Sequence, residues 1–359
     1  MRRAQLTSRE RLDLQPMRPF WERYHPEQAP FAFKASTLSA AVRWQARTRR
    51  ALAQAVGGQD WPSVPARPRL LERKDKRDYV REKLLLRTSP HTVQPVYLLL
   101  PKRRPRPLPV VLAFHGHGYG VKDIVGLWED GSERDTPDGY HKDFAVALCR
   151  QGFAVAAPEI ACFGERQNDY SGLQKTMGAP VPASCHHTAT LASHLGLTVL
   201  GLRVLEARRL VDCLAQRKEL DVARLGAMGI SGGGMHTFFS TCLDERIRAC
   251  VVSGYYSTFR DSILGLNHCT CNFVPGLWRF GEMYDLVGLI APRPLLVEAG
   301  TKDPIFPIAA VQRSVARARR VYAVFGAEAQ VRTDYFEGRH QINGPKAYAF
   351  LQEVLAKRP

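Results

Sequence analysis

The sequence predicts an α/β protein: a mainly parallel central sheet flanked by helices. Three observations carry this. Short apolar runs such as VVLAF (110–114) and FAVAAPEI (153–160) alternate with helical patterns of ten or more residues. These runs lack polar alternation, as strands buried on both faces do. Finally, GAMGISGGGMHT (226–237) places five glycines between an apolar run and a helical one, so the chain turns sharply there.

The elements follow in order. Residues 31–57 have apolar residues at three-to-four spacing and end at Gly57-Gly58, which reads as a helix. Trp61 to Arg69 is a Pro-rich connector. DYVREKLLLRT and QPVYLLLP read as strands joined through SPHTV, and the linker KRRPRPLP leads into the strand VVLAF and then HGHGYG. FAVALCRQG is helical, FAVAAPEI a strand, and residues 193–217 one long amphipathic helix. RLGAMGI is a strand and MHTFFSTCL a helix. IRACVVSG and RPLLVEAG are strands, residues 306–326 a helix, QVRTDYFEG a strand and PKAYAFLQEVLA a closing helix. Two insertions, 160–192 and 255–283, interrupt the alternation, and such excursions usually form lids or pocket walls. The expected organisation is an N-terminal helical extension and linker over 1–75 and a catalytic domain over 76–359.

With 359 residues, 45% hydrophobic, the chain can bury a large core. No apolar run approaches the roughly 20 residues that cross a bilayer. The first 20 residues carry arginines without an apolar segment behind them, so no signal peptide is expected. The eight cysteines are scattered rather than set in a disulfide framework. A reducing, cytoplasmic setting is the expectation. The net charge of +17 is uneven: residues 1–110 hold 24 Lys and Arg against 9 Asp and Glu, and the rest 27 against 25. Stretches such as RPRLLERKDKRD (67–78) carry no aromatic interleaving of the kind nucleic-acid platforms use, so a solvated cationic face is expected rather than a nucleic-acid partner. The extension is also a candidate surface for a homo-oligomer.

The glycines around Ser231 form G-x-S-x-G after a strand and before a helix. In that setting they let strand and helix meet while one hydroxyl is aimed above the sheet at a helix N-terminus. A serine hydroxyl needs a base. Asp303 lies just past the strand RPLLVEAG, and His340 just past QVRTDYFEG. The order Ser…Asp…His is that of the α/β-hydrolase fold: His340 would take the serine proton and Asp303 would hold the imidazole. Glu298 lies within its strand and is not expected to reach the site, and Asp261 is a weaker alternative. The backbone N–H groups of Gly232 and of His117, whose turn Gly116 permits, are the expected oxyanion donors.

HGHG, GISGGG, GTKDPIFP and GRHQ together resemble the α/β-hydrolase superfamily, in its dienelactone hydrolase-like and acetyl xylan esterase-like branch. The stretch NHCTCNFVPG (267–276) followed by APRPLLVEAG resembles a bacterial hydrolase group near that branch. The resemblance runs from about residue 75 to the C-terminus. It implies carboxylic-ester hydrolysis of a small-molecule ester by Ser231, Asp303 and His340, with His117 and Gly232 as oxyanion donors and with no metal or organic cofactor. Acetyl xylan esterases usually carry glutamine after the nucleophile, where this chain has Gly232. Their Arg-Gly-Gln signature survives only loosely, as Phe163-Gly164-Glu165-Arg166, so the xylan substrate is not carried over.

Glu165 and Arg166 are expected to form a local ion pair bracing the site. Tyr255, His268 and Trp278 are candidate pocket residues, with Tyr256 and Phe280 as further aromatic candidates. Cys269, Cys271 and His268 invite a zinc reading, but structural zinc needs a second pair at a distance. Cys185-His186-His187 supplies one only if the two insertions meet, and a packed turn without metal is the expectation. Two other functions fit less well: a peptidase of the same fold, whose family carries a propeller for which there is no room, and a non-catalytic protein binding an anionic partner through the extension.

Overall fold

A computed structural model describes residues 6–57, 61–62, 64–171 and 184–356. Nine strands form one sheet in the order β1-β2-β3-β5-β4-β6-β7-β8-β9. They are β1 Pro68–Asp75, β2 Tyr79–Ser89, β3 Thr92–Pro101, β4 Leu108–Phe114, β5 Ala154–Pro158, β6 Leu220–Ile230, β7 Ala249–Ser253, β8 Leu295–Gly300 and β9 Val331–Phe336. Pairings from β1 to β5 along this order are antiparallel, and every pairing from β5 to β9 is parallel. From β4 the chain winds outward through β5 in one direction, and from β6 through β9 in the other. The carboxyl ends of β4 and β6 therefore flank the crevice where ligands bind in such sheets.

The helices are α1 Ser8–Asp13, α2 Arg18–Trp21, α3 Leu38–Val56, α4 Phe144–Arg150, α5 Ser184–His194, α6 Val199–Leu214, α7 Gly232–Leu243, α8 Met283–Leu286, α9 Ile308–Ala323 and α10 Pro345–Val354. α4 and α10 cover one face of the sheet with Phe144, Leu148, Phe350 and Leu351. On the other face α3, α7 and α9 share a core built on Trp44, Leu52, Phe238, Phe239 and Tyr322. No single helix among the described residues is long and apolar enough to cross a membrane.

Three elements differ from the sequence expectation. The helix expected over 31–57 begins only at Leu38, where the Thr37 hydroxyl accepts from the Ala40 N–H at 3.3 Å. RLLERKD lies on β1, whose residues are all exposed. An edge strand with one partner and charged side chains leaves no buried apolar pattern to read. The single helix expected over 193–217 is two, α5 and α6, bent by 99°. Gly196 takes φ +72 there, and the Thr198 hydroxyl accepts from the Gly201 N–H at 2.9 Å, which starts α6 afresh. Residues 172–183 of the first expected insertion lie outside the described residues.

Helix α3 is tied to the rest of the chain by its polar groups too. Arg49 donates to the Cys242 and Leu289 carbonyls, each at 3.0 Å, and Gln45 to those of Gly288 and Ala291. Part of the N-terminal basic excess thus satisfies carbonyls near the end of α7, where the helix dipole is negative. Under the sheet edge His236 of α7 stacks on Phe114, 3.9 Å between centroids, and its Nε2–H donates to the Arg203 carbonyl. Burial, then the charge of Arg203, lower its pKa to about 3.

Leu52 is fully buried, so Leu52→Ala should lower the unfolding free energy by about 2–5 kcal/mol. Urea unfolding in one shifted transition is expected. A main transition that stays in place would mean that α3 melts separately. The neutral His236 gives a second expectation. Below about pH 6.5 the unfolded chain binds a proton at this ring that the folded chain refuses down to about pH 3. Stability should therefore fall as pH drops through that window, and His236→Gln should reduce the slope by about 1.4 kcal/mol per pH unit. Urea midpoints measured from pH 7 to pH 4 test this, and an unchanged slope would contradict it.

Candidate active site

β6 ends at Ile230 and α7 begins at Gly232. Ser231 between them takes φ 58 and ψ −122, a conformation rare for a side chain-bearing residue. The flanking glycines permit it. A Cβ on Gly229 would stand 2.4 Å from the Gly233 carbonyl oxygen, and one on Gly233 would stand 1.9 Å from that of Phe114. The helix backbone thus rests directly on β4 and β6. The Ser231 N–H donates to the Ser253 carbonyl at 3.1 Å, and the Gly232 N–H opens the first turn of α7.

The sequence-predicted partners converge on the same crevice. Asp303 follows β8, and its Oδ1 accepts from the N–H groups of Ile305 and Phe306 at 3.0 and 3.1 Å. Its Oδ2 lies 2.7 Å from His340 Nδ1. The His340 ring stacks over Phe306 at 5.7 Å and leans on Tyr140 at 5.4 Å. Its Nε2 is buried with no hydrogen-bond partner among the described residues. Ser231, Gly232, His117 and His340 line one cavity of about 260 Å³, with Tyr140, Tyr255, His268 and Phe306 among its walls. Glu298 stays out of it: its carboxylate accepts from Ser253 Oγ at 2.7 Å and the Gly344 N–H at 2.8 Å, and burial raises its pKa.

The HGHG loop is held from below by residues that sequence reasoning missed. The Gly116 N–H donates to His141 Nε2 at 2.8 Å, so the ring proton sits on Nδ1 and is given to Asp123 at 2.9 Å. Burial lowers the His141 pKa and keeps the ring neutral. For Asp123 burial works upward, but hydrogen bonds from His141 and Tyr119 and the nearby Arg134 charge outweigh it and lower the pKa. His115 Nδ1–H donates to the Gly116 carbonyl at 2.8 Å, and its Nε2 accepts from the Ile160 N–H. The Tyr140 hydroxyl donates to the His117 carbonyl and reaches Ser231, and burial raises its pKa. Tyr140, His141 and Asp123 lie in a stretch without motif spacing, and only the fold gathers them.

The other candidates divide. Tyr255 and His268 line the cavity. His268 Nε2 lies 3.1 Å from Ser262 Oγ, and burial lowers its pKa. Trp278 instead lines a neighbouring cavity with Tyr24 and Phe273 and is half exposed. Glu165 and Arg166 form no pair with each other and do not line the cavity. The fully buried Glu206 on α6 draws Arg166 inward, with Nη2 at 2.5 Å, and Glu165 pairs with Lys83 of β2 at 2.6 Å. The glycine after Ser231 has a local cause. A Cβ on Gly232 would stand 3.1 Å from His117 Nδ1, so the imidazole borders the space a longer side chain would need.

This architecture recurs among known proteins. The Bacillus subtilis (strain 168) protein named "Putative hydrolase YtaP" is 27% identical over 261 residues, 70% of this chain and 80% of its own. A "putative acetyl xylan esterase" from Bacteroides fragilis NCTC 9343 superposes with a TM-score of 0.72 at 17% identity, covering 94% of this chain and 84% of that one. A glucuronoyl esterase from Solibacter usitatus superposes with a TM-score of 0.63 at 16% identity, covering 91% and 97%. At such identities the two structures testify to the α/β-hydrolase fold. The profile of the Abhydrolase family matches residues 24–338, most of the sequence, and the chain belongs to that family.

Proposed function

We propose that the protein is a serine carboxylic-ester hydrolase that works through Ser231, His340, Asp303 and a covalent acyl-enzyme. One observation carries this: the 2.7 Å hydrogen bond of His340 Nδ1 to Asp303 leaves an unpartnered, buried Nε2 in the crevice that holds Ser231. In the proposed cycle Asp303 fixes the proton on Nδ1, so Nε2 is the base. Nε2 takes the Ser231 proton as Oγ attacks the ester carbonyl. The N–H groups of Gly232 and His117 donate to the resulting oxyanion. Collapse expels the alcohol, which carries away the proton from His340. Water then attacks the acyl-enzyme by the same route and releases the acid.

The cavity wall favours an uncharged substrate. Among the described residues that line it, none is Lys, Arg, Asp or Glu. Its volume of about 260 Å³ suits a small or moderate acyl group. Proteins of the same fold are named acetyl xylan esterase and glucuronoyl esterase, so acylated sugars are the first class to compare with simple alkyl esters.

A fluorophosphonate should label Ser231, located by peptide mapping. Ser231→Ala should abolish both labelling and p-nitrophenyl acetate turnover, and full turnover in this variant would sink the proposal. Asp303→Asn leaves the shape of the site but presents the wrong hydrogen-bonding partner to Nδ1. Its kcat should fall about 10⁴-fold, by analogy with other serine hydrolases. A loss below about tenfold would remove Asp303 from the mechanism.

A further inference from the structure

Beside this crevice four soft ligands from three separate parts of the chain meet. His117 comes from the loop after β4, Cys185 from the first turn of α5, and Cys269 and Cys271 from the second insertion. One ligand atom from each lies within 4.8 Å of all the others. The two insertions therefore touch, which is the condition the zinc reading of the sequence lacked. His186 Nδ1 lies 2.8 Å from Thr270 Oγ1 and reinforces the same contact.

We propose that His117, Cys185, Cys269 and Cys271 bind one zinc ion that ties the HGHG loop to both insertions. The expectation of a packed turn without metal gives way on three grounds. The first is spacing. A tetrahedral zinc with Zn–S near 2.3 Å sets its sulfur atoms about 3.8 Å apart. Here Cys185 and Cys269 Sγ lie 3.1 Å apart and no two ligand atoms are more than 4.8 Å apart, so small side-chain shifts complete the shell. The second is an unmet valence. Among the described residues the buried His117 Nε2 has no hydrogen-bond partner, while Nδ1 lies toward Gly232, so Nε2 is the free donor. The Phe163 ring meets the imidazole edge-on at 5.0 Å and limits its rotation.

The third ground is charge. Arg203 on α6 is 1% exposed and forms no salt bridge among the described residues. Its Nη2 donates to the Ala161 carbonyl and to Cys185 Sγ at 3.6 Å, while Nε and Nη1 are buried with no hydrogen-bond partner among the described residues. A buried guanidinium needs a counter-charge. Zinc displaces one proton to solvent from each of three thiols. The ion, three thiolates and a neutral imidazole then carry a net charge of −1, which offsets Arg203. Three thiols and an imidazole left neutral would supply none. Thiolates with imidazole select zinc over the oxygen-seeking cations.

Four protein ligands close the shell and leave no position for water or substrate, so the ion is structural. It fixes the segment that carries the His117 N–H and so supports the oxyanion site. The proposal does not need Ser231 to be a nucleophile, and its readout is independent of turnover.

The full chain purified under reducing conditions should hold about one zinc per chain by elemental analysis. Cys269→Ser and Cys271→Ser should lose at least about nine-tenths of it. Cys149→Ser, on the opposite face of the sheet, should keep it. If the serine variants fail to fold, cobalt substitution of the unmodified chain decides. Thiolate-to-cobalt charge transfer and the intense visible bands of a tetrahedral site are then expected. No stoichiometric zinc after incubation with the metal under reductant, or cobalt without thiolate bands, would overturn the proposal. So would a freshly purified chain two hydrogen masses light, with Cys185 and Cys269 joined as a disulfide.

Discussion

Backbone rests on backbone where α7 leaves the sheet. The helix start sits so close to the ends of β4 and β6 that neither Gly229 nor Gly233 has room for a methyl group. That approach forces Ser231 into its positive-φ conformation and lifts its side chain clear of the sheet. It also sets the separation between the HGHG loop and the first N–H of α7. The placement of every other group around the crevice is measured from this joint.

The surrounding polar groups hold what the joint positions. Asp123, His141 and Gly116 form a buried chain from carboxylate to backbone N–H, with the ring tautomer set by its two partners. Asp303 is fixed in turn by two backbone N–H groups before it meets His340. Each acceptor is thus oriented before any ligand arrives, as electrostatic preorganisation requires. The cysteine cluster extends the same logic to the two insertions, which meet at Cys185, Cys269 and Cys271 beside the HGHG loop.

The basic N-terminal region has a partly structural explanation. Arg49 spends its donors on carbonyls at the end of α7 and beside α8, and the buried Arg81 of β2 pairs with the half-buried Glu133 at 2.5 Å. α3 contributes Trp44 and Leu52 to the same core as α7 and α9. Charge counted along a sequence therefore overstates the charge a partner would meet.

Local rules made much of the protein legible in advance. Apolar runs and helical spacing gave the parallel strands and most helices, because burial on both faces imposes a simple pattern. Strand ends followed by Ser231, Asp303 and His340 were visible for the same reason: each lies one step beyond a recognisable element. The edge strand β1 was hidden because an exposed strand needs no apolar pattern, and the break at Gly196 because the amphipathic stripe continues across it. Only the tertiary structure decided the partners of Glu165 and Arg166, the buried support by Tyr140, His141 and Asp123, and the meeting of His117 with Cys185, Cys269 and Cys271. Those contacts join residues far apart along the chain, and nothing in their immediate neighbours encodes a distance that depends on how the whole sheet is wound.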